Sequence, residues 1–234
     1  MREIRWGIKG FDKLMGKNFP KNCNLLLIGR LGSGKSIFCE QVIYEGLKQG
    51  IPGVYVTVDE PPYIVKENLA RLGCNADEYK NLAIVDCYSY GIGRIRGESP
   101  LTKEPYVVKD PTQIDQIGKK VHEIRKEFGG GRLVLDSLSG LLSFVRINIE
   151  SAIRLGHTLF ETMMWSPAII VSHEAMDLKI ISNALRSVTH GVIRMRLEEN
   201  EEGIMRSLRV ENLMGTTSPW KRYHITEKGI IMEE

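Results

Sequence analysis

The sequence has no long apolar run, no clustered cysteines, no strong charge of either sign and no low-complexity tract, and each absence excludes something. Its hydrophobic stretches are of strand length, far short of the ~20 apolar residues that a membrane-spanning helix needs. The stretch MREIRWGIKGFDKLMGK at the N-terminus carries charges throughout and has no apolar core segment, so no signal peptide is expected. Cys23, Cys39, Cys74 and Cys87 lie far apart, with no C-x-x-C and no paired histidines nearby. That spacing argues against a zinc site and suits reduced, buried thiols in an intracellular protein. The balance of 32 basic against 29 acidic residues leaves +3, a mildly basic surface and not the footprint of a dedicated nucleic-acid binder. Without a Ser/Pro-rich linker or an internal repeat, the chain reads as one α/β domain spanning 1–234, with 42% hydrophobic residues to supply its core. A soluble, cytoplasmic protein is expected.

What the sequence does contain is concentrated in Asn24–Ser36, NLLLIGRLGSGKS. Gly29, four residues, then Gly34-Lys35-Ser36 match G-x-x-x-x-G-K-[ST] throughout. The apolar Leu25–Ile28 before the motif predicts a buried strand, and Lys35–Gln49 after it predicts a helix. Gly29, Gly32 and Gly34 let successive N–H groups turn into one concavity, where they can cradle phosphate oxygens. The N–H groups of Ser33 to Ile37 at the start of the helix add donors and the positive end of a dipole. Lys35 can then reach the β- and γ-phosphates, while the Ser36 hydroxyl can ligate Mg²⁺. The strand–loop–helix context is what separates this motif from a chance Gly-rich turn, and it predicts binding of a nucleoside triphosphate.

The rest of the chain alternates strand and helix. Gly53–Val58 alternates apolar and polar and ends in Asp59-Glu60; Pro61-Pro62 then open a helix that Gly73 closes. Leu82–Val85 is a further strand, Ile114, Ile117, Val121 and Ile124 mark a helix, and Leu133–Leu135 is a strand ending in Asp136. Ser151–Trp165 reads as a helix and Ala168–Val171 as a strand ending in Ser172-His173-Glu174. Val192–Leu197, Ile204–Met214 and Tyr223–Ile231 read as antiparallel strands with turns at Glu199–Gly203 and Gly215–Pro219. Ile8 and Phe11 stand as isolated apolar residues in a polar lead-in, and Cys87–Pro111 shows no period at all. The fold class is therefore α/β: a mostly parallel sheet flanked by helices, with an antiparallel C-terminal meander. Ligand groups gather at the carboxyl ends of the parallel strands.

Several polar groups fall there. Asp136 can hold Mg²⁺, usually through water, beside the Ser36 hydroxyl; a helix cap is the simpler role for a strand-ending aspartate. Either Asp59 or Glu60 can orient and deprotonate the attacking water, the other serving as a cap. His173 can sense the γ-phosphate or be a solvated loop histidine. His122 and His157 fall inside helices and read as structural. Arg94 and Arg96 in the irregular stretch reach a phosphate or simply face water.

Taken together and in order, these stretches resemble the RecA/KaiC family of P-loop ATPases, most closely the single-domain archaeal KaiC-like proteins also described as RadA recombinase paralogues. Gly7-Ile8-Lys9-Gly10-Phe11-Asp12 resembles the family's lead-in, GRLGSGKS its P-loop, GVYVTVDEPP its second strand with paired acids, and LVLDS its Walker B strand. SLRVENLMGTTSPWKRYHITEKGIIM resembles its closing hairpin. The resemblance implies a RecA-like core, ATP and Mg²⁺ as cofactors, and assembly into a ring (a hexamer among the options) or a filament with nucleotide between subunits. It implies single-stranded DNA or a recombinase as partner, with DNA contacts from the stretches around Phe144–Ile149 and Glu174–Thr189. Two departures stand out. Where the family has K-x-R-G-T reaching a neighbour's nucleotide, this chain has Asn212-Leu213-Met214-Gly215-Thr216, without either charge. Where the family commonly begins its acid pair with glutamate, this chain has Asp59, which favours Glu60 as the base.

Three functions compete on these residues. A slow Mg²⁺-dependent ATPase with a regulatory or DNA-recombination-associated role is favoured by Glu60 and Asp136. A nucleotide-dependent binding or assembly module with little hydrolysis is favoured by Asn212 and Met214. A P-loop small-molecule kinase would need an arginine-rich lid, for which only Arg94 and Arg96 are candidates, and the C-terminal meander argues against it.

Overall fold

The computed structural model describes residues 5–15, 23–91, 105–144, 167–174, 185–186, 189–201, 203–213 and 215–233. Five of its strands are the predicted parallel ones: β1 (Asn24–Gly29), β2 (Gly53–Thr57), β3 (Leu82–Asp86), β4 (Arg132–Asp136) and β5 (Ala168–His173). β6 (Gly191–Asn200) joins β1 in parallel, and β7 (Gly203–Glu211), β8 (Lys221–Thr226) and β9 (Gly229–Met232) continue antiparallel. The sheet runs β3-β2-β4-β5-β1-β6-β7-β8-β9. From β1 the chain crosses three positions to β2, later returns to fill the two places between them with β4 and β5, and finally passes to the other side of β1. The carboxyl ends of β1, β2, β4 and β5 therefore open on one rim around that reversal, where α/β sheets bind ligands.

Helices cover both faces. α2 (Lys35–Lys48) and α3 (Pro62–Arg71) lie on one; α4 (Ile114–Phe128) and α5 (Leu138–Phe144) lie on the other, and a short α1 (Phe11–Met15) precedes the sheet. The alternation of β1 shows why both are needed: Leu25 and Leu27 enter the core with Phe38, Val42 and Ile43 of α2, while Leu26 and Ile28 enter the core with Ile117, Val121 and Ile124 of α4. A parallel strand buried on both sides reads as an unbroken apolar run.

The structure corrects five expectations. β2 was expected to alternate core and solvent, yet Tyr55 and Thr57 are as buried as its valines, because helices cover both sides. The expected strand Tyr223–Ile231 is two strands, β8 and β9, folded about Glu227-Lys228 with Gly229 at φ 92°. The stretch after Cys87 is not without structure: residues 88–91 are helical, and Val107 returns as a parallel bridge beside Asp86, extending the β3 edge. His122 is exposed on α4 and supports no core. The lead-in is no polar arm either, since Trp6, Ile8 and Phe11 are buried, with Phe11 edge-on to both Trp6 and Phe38. The predicted helix Ser151–Trp165, His157, Arg94 and Arg96, and most of both stretches proposed to meet DNA lie outside the described residues.

One buried cation ties the lead-in to the sheet. Arg132, at the start of β4, is 1% exposed and forms no salt bridge with a carboxylate among the described residues. Its guanidinium instead donates to the carbonyls of Arg5, Trp6 and Val42, joining the lead-in and α2 to β4. Burial lowers its pKa to about 10, which leaves it charged at neutral pH. Arg132→Met keeps the apolar bulk but leaves those carbonyls without their donor, at about 1–3 kcal/mol for each buried group. Urea unfolding should show a loss of about 3 kcal/mol or more; a loss below about 1 kcal/mol would mean that the lead-in is held by Trp6 and Phe11 alone.

Candidate functional site

The loop between β1 and α2 has the shape its glycines predict. Gly32 and Gly34 stand at φ 79° and 86°, where a side chain is strained. Gly29 is needed for a different reason: a Cβ there would stand 2.7 Å from Ser33 Oγ and 2.8 Å from the Met195 carbonyl. Ser33 Oγ and Lys35 Nζ both donate to the Arg30 carbonyl, at 2.8 and 2.9 Å, which folds the loop back on its own first residues. Lys35 is 5% exposed, and burial lowers the pKa of its ammonium against the pull of Asp136.

The Walker strand arrives beside it. Ser36, in the first turn of α2, stands near Asp136 at the end of β4, with its hydroxyl favouring the carboxylate. The Tyr55 hydroxyl of β2 donates to Asp136 Oδ2 at 2.7 Å. Burial raises the Asp136 pKa, and the Tyr55 hydrogen bond and the nearby Ser36 hydroxyl oppose that rise. A buried carboxylate beside a serine hydroxyl is a donor set that suits Mg²⁺, which takes one or two protein oxygens and completes its shell with phosphate oxygens and water. Among the described residues no group of three or more His, Cys, Asp and Glu could hold a metal by itself.

The acid pair divides. Asp59 Oδ2 accepts from Ser137 Oγ at 2.5 Å and lies 3.3 Å from His173 Nε2. The approach depends on Gly140 of α5, where a Cβ would stand 1.9 Å from Asp59 Oδ1. His173 is fixed through its own N–H, which donates to Ser139 Oγ at 2.8 Å. Glu60 is half-buried, and its side chain makes no hydrogen bond to the described residues. Burial raises its pKa, helped by the charges of Asp136 and Asp59. The structure thus brings Lys35, Ser36, Asp59, Glu60, Asp136 and His173 to one rim. Asn212 and Thr216 lie apart, in the turn after β7. Asn212 stands at φ 55° with its N–H on Thr217 Oγ1, and Thr216 closes the turn on the Leu213 carbonyl. Met214 is outside the described residues.

Sequence reasoning missed the support beneath the loop. Tyr223 of β8 donates to the Ser33 carbonyl at 2.6 Å, and Ile225 packs so close to Gly34 that a Cβ there would stand 2.6 Å from its Cδ1. Gln41 of α2 meets both backbone groups of Ile230 in β9, at 2.7 and 3.3 Å. Also missed is a cleft of about 410 Å³ lined by Ile37, Glu40, Asn68, Arg71, Leu72, Thr226 and Glu227. It opens two residues past Lys35. Only Glu40, a charged residue on a helix expected to be buried, offered a signal for it.

A glycine-lined loop running from a buried parallel strand into a helix, with a hydroxyl and a second-strand aspartate beside it, defines a P-loop nucleotide-binding core. The profile of the family described as "ATPase: KaiC" matches residues 4–234, and the chain belongs to that family. Relatives described as UPF0273 proteins occur in Pyrococcus furiosus, at 32% identity over 99% of this chain and 94% of their own, and in Thermotoga maritima, at 30% over 99% and 96%. One from Aeropyrum pernix is 29% identical over 98% and 92%. The crystal structure of a KaiC-like protein from Pyrococcus horikoshii superposes with a TM-score of 0.80 at 24% identity, covering 100% of this chain and 99% of that one. The fold is RecA-like, and the family is one of nucleotide-binding proteins.

Glu40 makes a pH test available. It is 1% exposed, and burial, the largest cause, raises its pKa from 4.5 to about 8, with the Asn68 hydrogen bond opposing. Between those values the folded chain binds more protons than the unfolded one, so this group's contribution to stability falls as pH rises. The urea midpoint of the parent should decline between pH 5 and pH 8 more steeply than that of Glu40→Gln, which has no carboxyl to titrate there. Parallel profiles for the two proteins would place the Glu40 carboxyl in solvent.

Proposed function

We propose that this chain binds ATP with Mg²⁺ on the loop Gly29–Ile37 and hydrolyses it slowly. The observation that carries the reading is the meeting, at one rim of the sheet, of Lys35, of Ser36 beside Asp136, and of a Glu60 side chain with no hydrogen-bond partner among the described residues. Backbone N–H groups of Gly32, Ser33, Gly34, Lys35, Ser36 and Ile37 cradle the phosphates, and Lys35 exchanges the Arg30 carbonyl for a phosphate oxygen. Ser36 and Asp136 would hold the metal, which neutralises charge on the phosphates when bound.

Of the two acids, Glu60 is the better base. Asp59 is already committed to Ser137 and His173, and so serves to position His173 at the rim. Glu60 is at the rim, has no competing donor among the described residues, and its raised pKa brings it closer to that of a useful proton acceptor. Slow turnover follows from charge. With Asn212 and Met214 in place of the family's two basic residues, the chain does not deliver from that stretch the cation that would stabilise a transferring phosphoryl group, a contribution of roughly 10³–10⁵ in rate elsewhere.

The same residues favour a second reading, in which nucleotide controls assembly or a partner and hydrolysis is nearly silent. Leu31 in the loop and Ile204 at the start of β7 are 85% and 56% exposed, as large apolar residues at a contact between copies would be. A homo-oligomer, a hexameric ring among the options, belongs to both readings. A cytoplasmic, regulatory or recombination-associated role, with single-stranded DNA or a recombinase as partner, is supported by the family resemblance alone. No described helix is long and apolar enough to cross a membrane.

Lys35→Ala should remove ATP binding, measured by calorimetry, while circular dichroism stays that of the parent, because the ammonium pairs with a loop carbonyl and no core group. Unchanged affinity in the folded variant would remove the central claim. Glu60→Gln should bind ATP as the parent does yet lose phosphate release by about 10²-fold or more. Turnover at the parent rate would pass the role of base to Asp59.

A further inference from the structure

We infer that the arginine-lined cavity on one face of β6 and β7 is a second anion site, and that its ligand is a phosphate dianion. The site is separate from the phosphate loop and stands whether or not the loop holds ATP.

Strand alternation fixes where the cavity lies. Val192 of β6 enters the core with α4, and Arg194 and Arg196, two and four residues on, share its face. Arg209 of β7 stands opposite Arg194, and Glu211 opposite Val192, so these two belong to that face as well. With Arg186 ahead of β6 and Glu174 after β5, they line a cavity of about 520 Å³. α2 packs on the opposite face, so the sheet stands between it and the cavity.

Holding one buried glutamate explains only part of this cluster. Glu211 is 7% exposed and accepts from Arg194 Nε at 2.9 Å and from Arg209 Nε at 2.7 Å. Burial works to raise its pKa, but the hydrogen bonds and charges of Arg194 and Arg209 outweigh it and leave the pKa lowered. Arg194 also donates to Glu174, at 2.9 Å. Glu174 and Glu211 thus balance Arg194 and Arg209, and the remaining Arg186 and Arg196 leave the lining with two positive charges in excess. Arg186 reaches Glu211 only at 3.7 Å, and its buried Nε has no hydrogen-bond partner among the described residues. Arg196 meets Glu198 through Nη1 alone, in an exposed pair of the kind that contributes little. A buried guanidinium N–H without an acceptor costs free energy, and an anion in the cavity would relieve it.

The donors left over select the ligand. Arg186, Arg196 and Arg209 come from three separate segments, and each keeps at least one nitrogen without an acceptor among the described residues. Several converging donors suit a tetrahedral group with many acceptor oxygens, and the guanidinium fork is the cation that pairs with phosphate bidentately. Two excess charges match a phosphate monoester, which carries about −2, and exceed the single charge of a diester. The cavity is also larger than a phosphate group, which leaves room for the molecule that carries it. A nucleic-acid strand fits less well, because it needs aromatic rings free to stack on bases. Trp220 has the guanidiniums of Arg196 and Arg209 against its ring instead, 4.2 and 4.6 Å from the centre.

Calorimetry on the full chain without nucleotide, in about 0.15 M salt, tests this with ribose 5-phosphate, inorganic phosphate and dimethyl phosphate. Ribose 5-phosphate should bind saturably, and dimethyl phosphate, with one charge, about tenfold or more weakly. The tighter of ribose 5-phosphate and inorganic phosphate identifies the ligand as an ester or as the free ion, and either supports the site. Arg186→Gln with Arg196→Gln removes both excess charges and leaves the pairs of Glu174 and Glu211 intact. Its circular dichroism should match the parent's while affinity for the ester falls about thirtyfold or more. Arg186→Lys with Arg196→Lys keeps the charges without the fork and should recover part of that loss. Lys35→Ala should bind the ester as the parent does, which separates this site from the phosphate loop. Three results would overturn the assignment: no saturable binding by the parent, equal affinity for dimethyl phosphate, or binding lost in Lys35→Ala and kept in the double glutamine variant. Displacement of the ester by an oligothymidylate without terminal phosphates would overturn it too, and would make this face a nucleic-acid surface.

Discussion

Burying the carboxylate of Asp136 is the constraint on which the rest of the site depends. A negative charge with 7% exposure is tolerable only where donors surround it. The favourable groups come from two elements: the Tyr55 hydroxyl, which donates from β2, and the nearby Ser36 hydroxyl and Lys35 ammonium in the first turn of α2. Each of those elements must therefore stand in register with β4. The registers Tyr55 with Val134 and Thr57 with Asp136 put the tyrosine two residues back along β2 from the strand end, where its ring can lie under the carboxylate. Electrostatics and packing specify the same arrangement.

The fold was legible where its causes are local. The P-loop could be read because glycine freedom, the lysine and the helix start are all set within 13 residues, and the structure has them as expected. Gly129 ends α4 with a left-handed cap, as its place after the Ile114–Ile124 stripe predicts. What escaped reading depends on groups far apart in sequence. Tyr55 looked like the outward half of an alternating strand, because nothing near it announces the helix covering that face. Gly140 carries no local requirement for glycine; it is required by Asp59, 81 positions earlier. The turn at Glu227–Gly229 was overlooked because Tyr223–Ile231 has enough apolar residues for one strand, although Gly229 was there to read.

The site itself was half legible. Lys35, Ser36 and Asp136 follow from motif and spacing, and the structure draws them together. Asp59 and Glu60 could not be separated from their order alone, since adjacent residues at a strand end reach different sides of it. The structure separates them by their surroundings: hydroxyl and imidazole around Asp59, and no described partner around Glu60. The cleft beside α2 could not be read, because it is built by α2, α3 and the β8–β9 turn together.

The support of the phosphate loop by β8 and β9 has a consequence for synthesis. Ser33 and the Tyr223 that steadies it are separated by 190 positions, and Gln41 and Ile230 by 189. A ribosome therefore releases the loop early and its floor late. A nascent chain carrying the whole of GRLGSGKS still lacks the hydroxyl and the isoleucine that hold Ser33 and Gly34. Contacts this far apart close late in folding and are slow to form. Nucleotide cannot serve as a template for the early part of the chain; it can only seal a fold whose last hairpin has already docked.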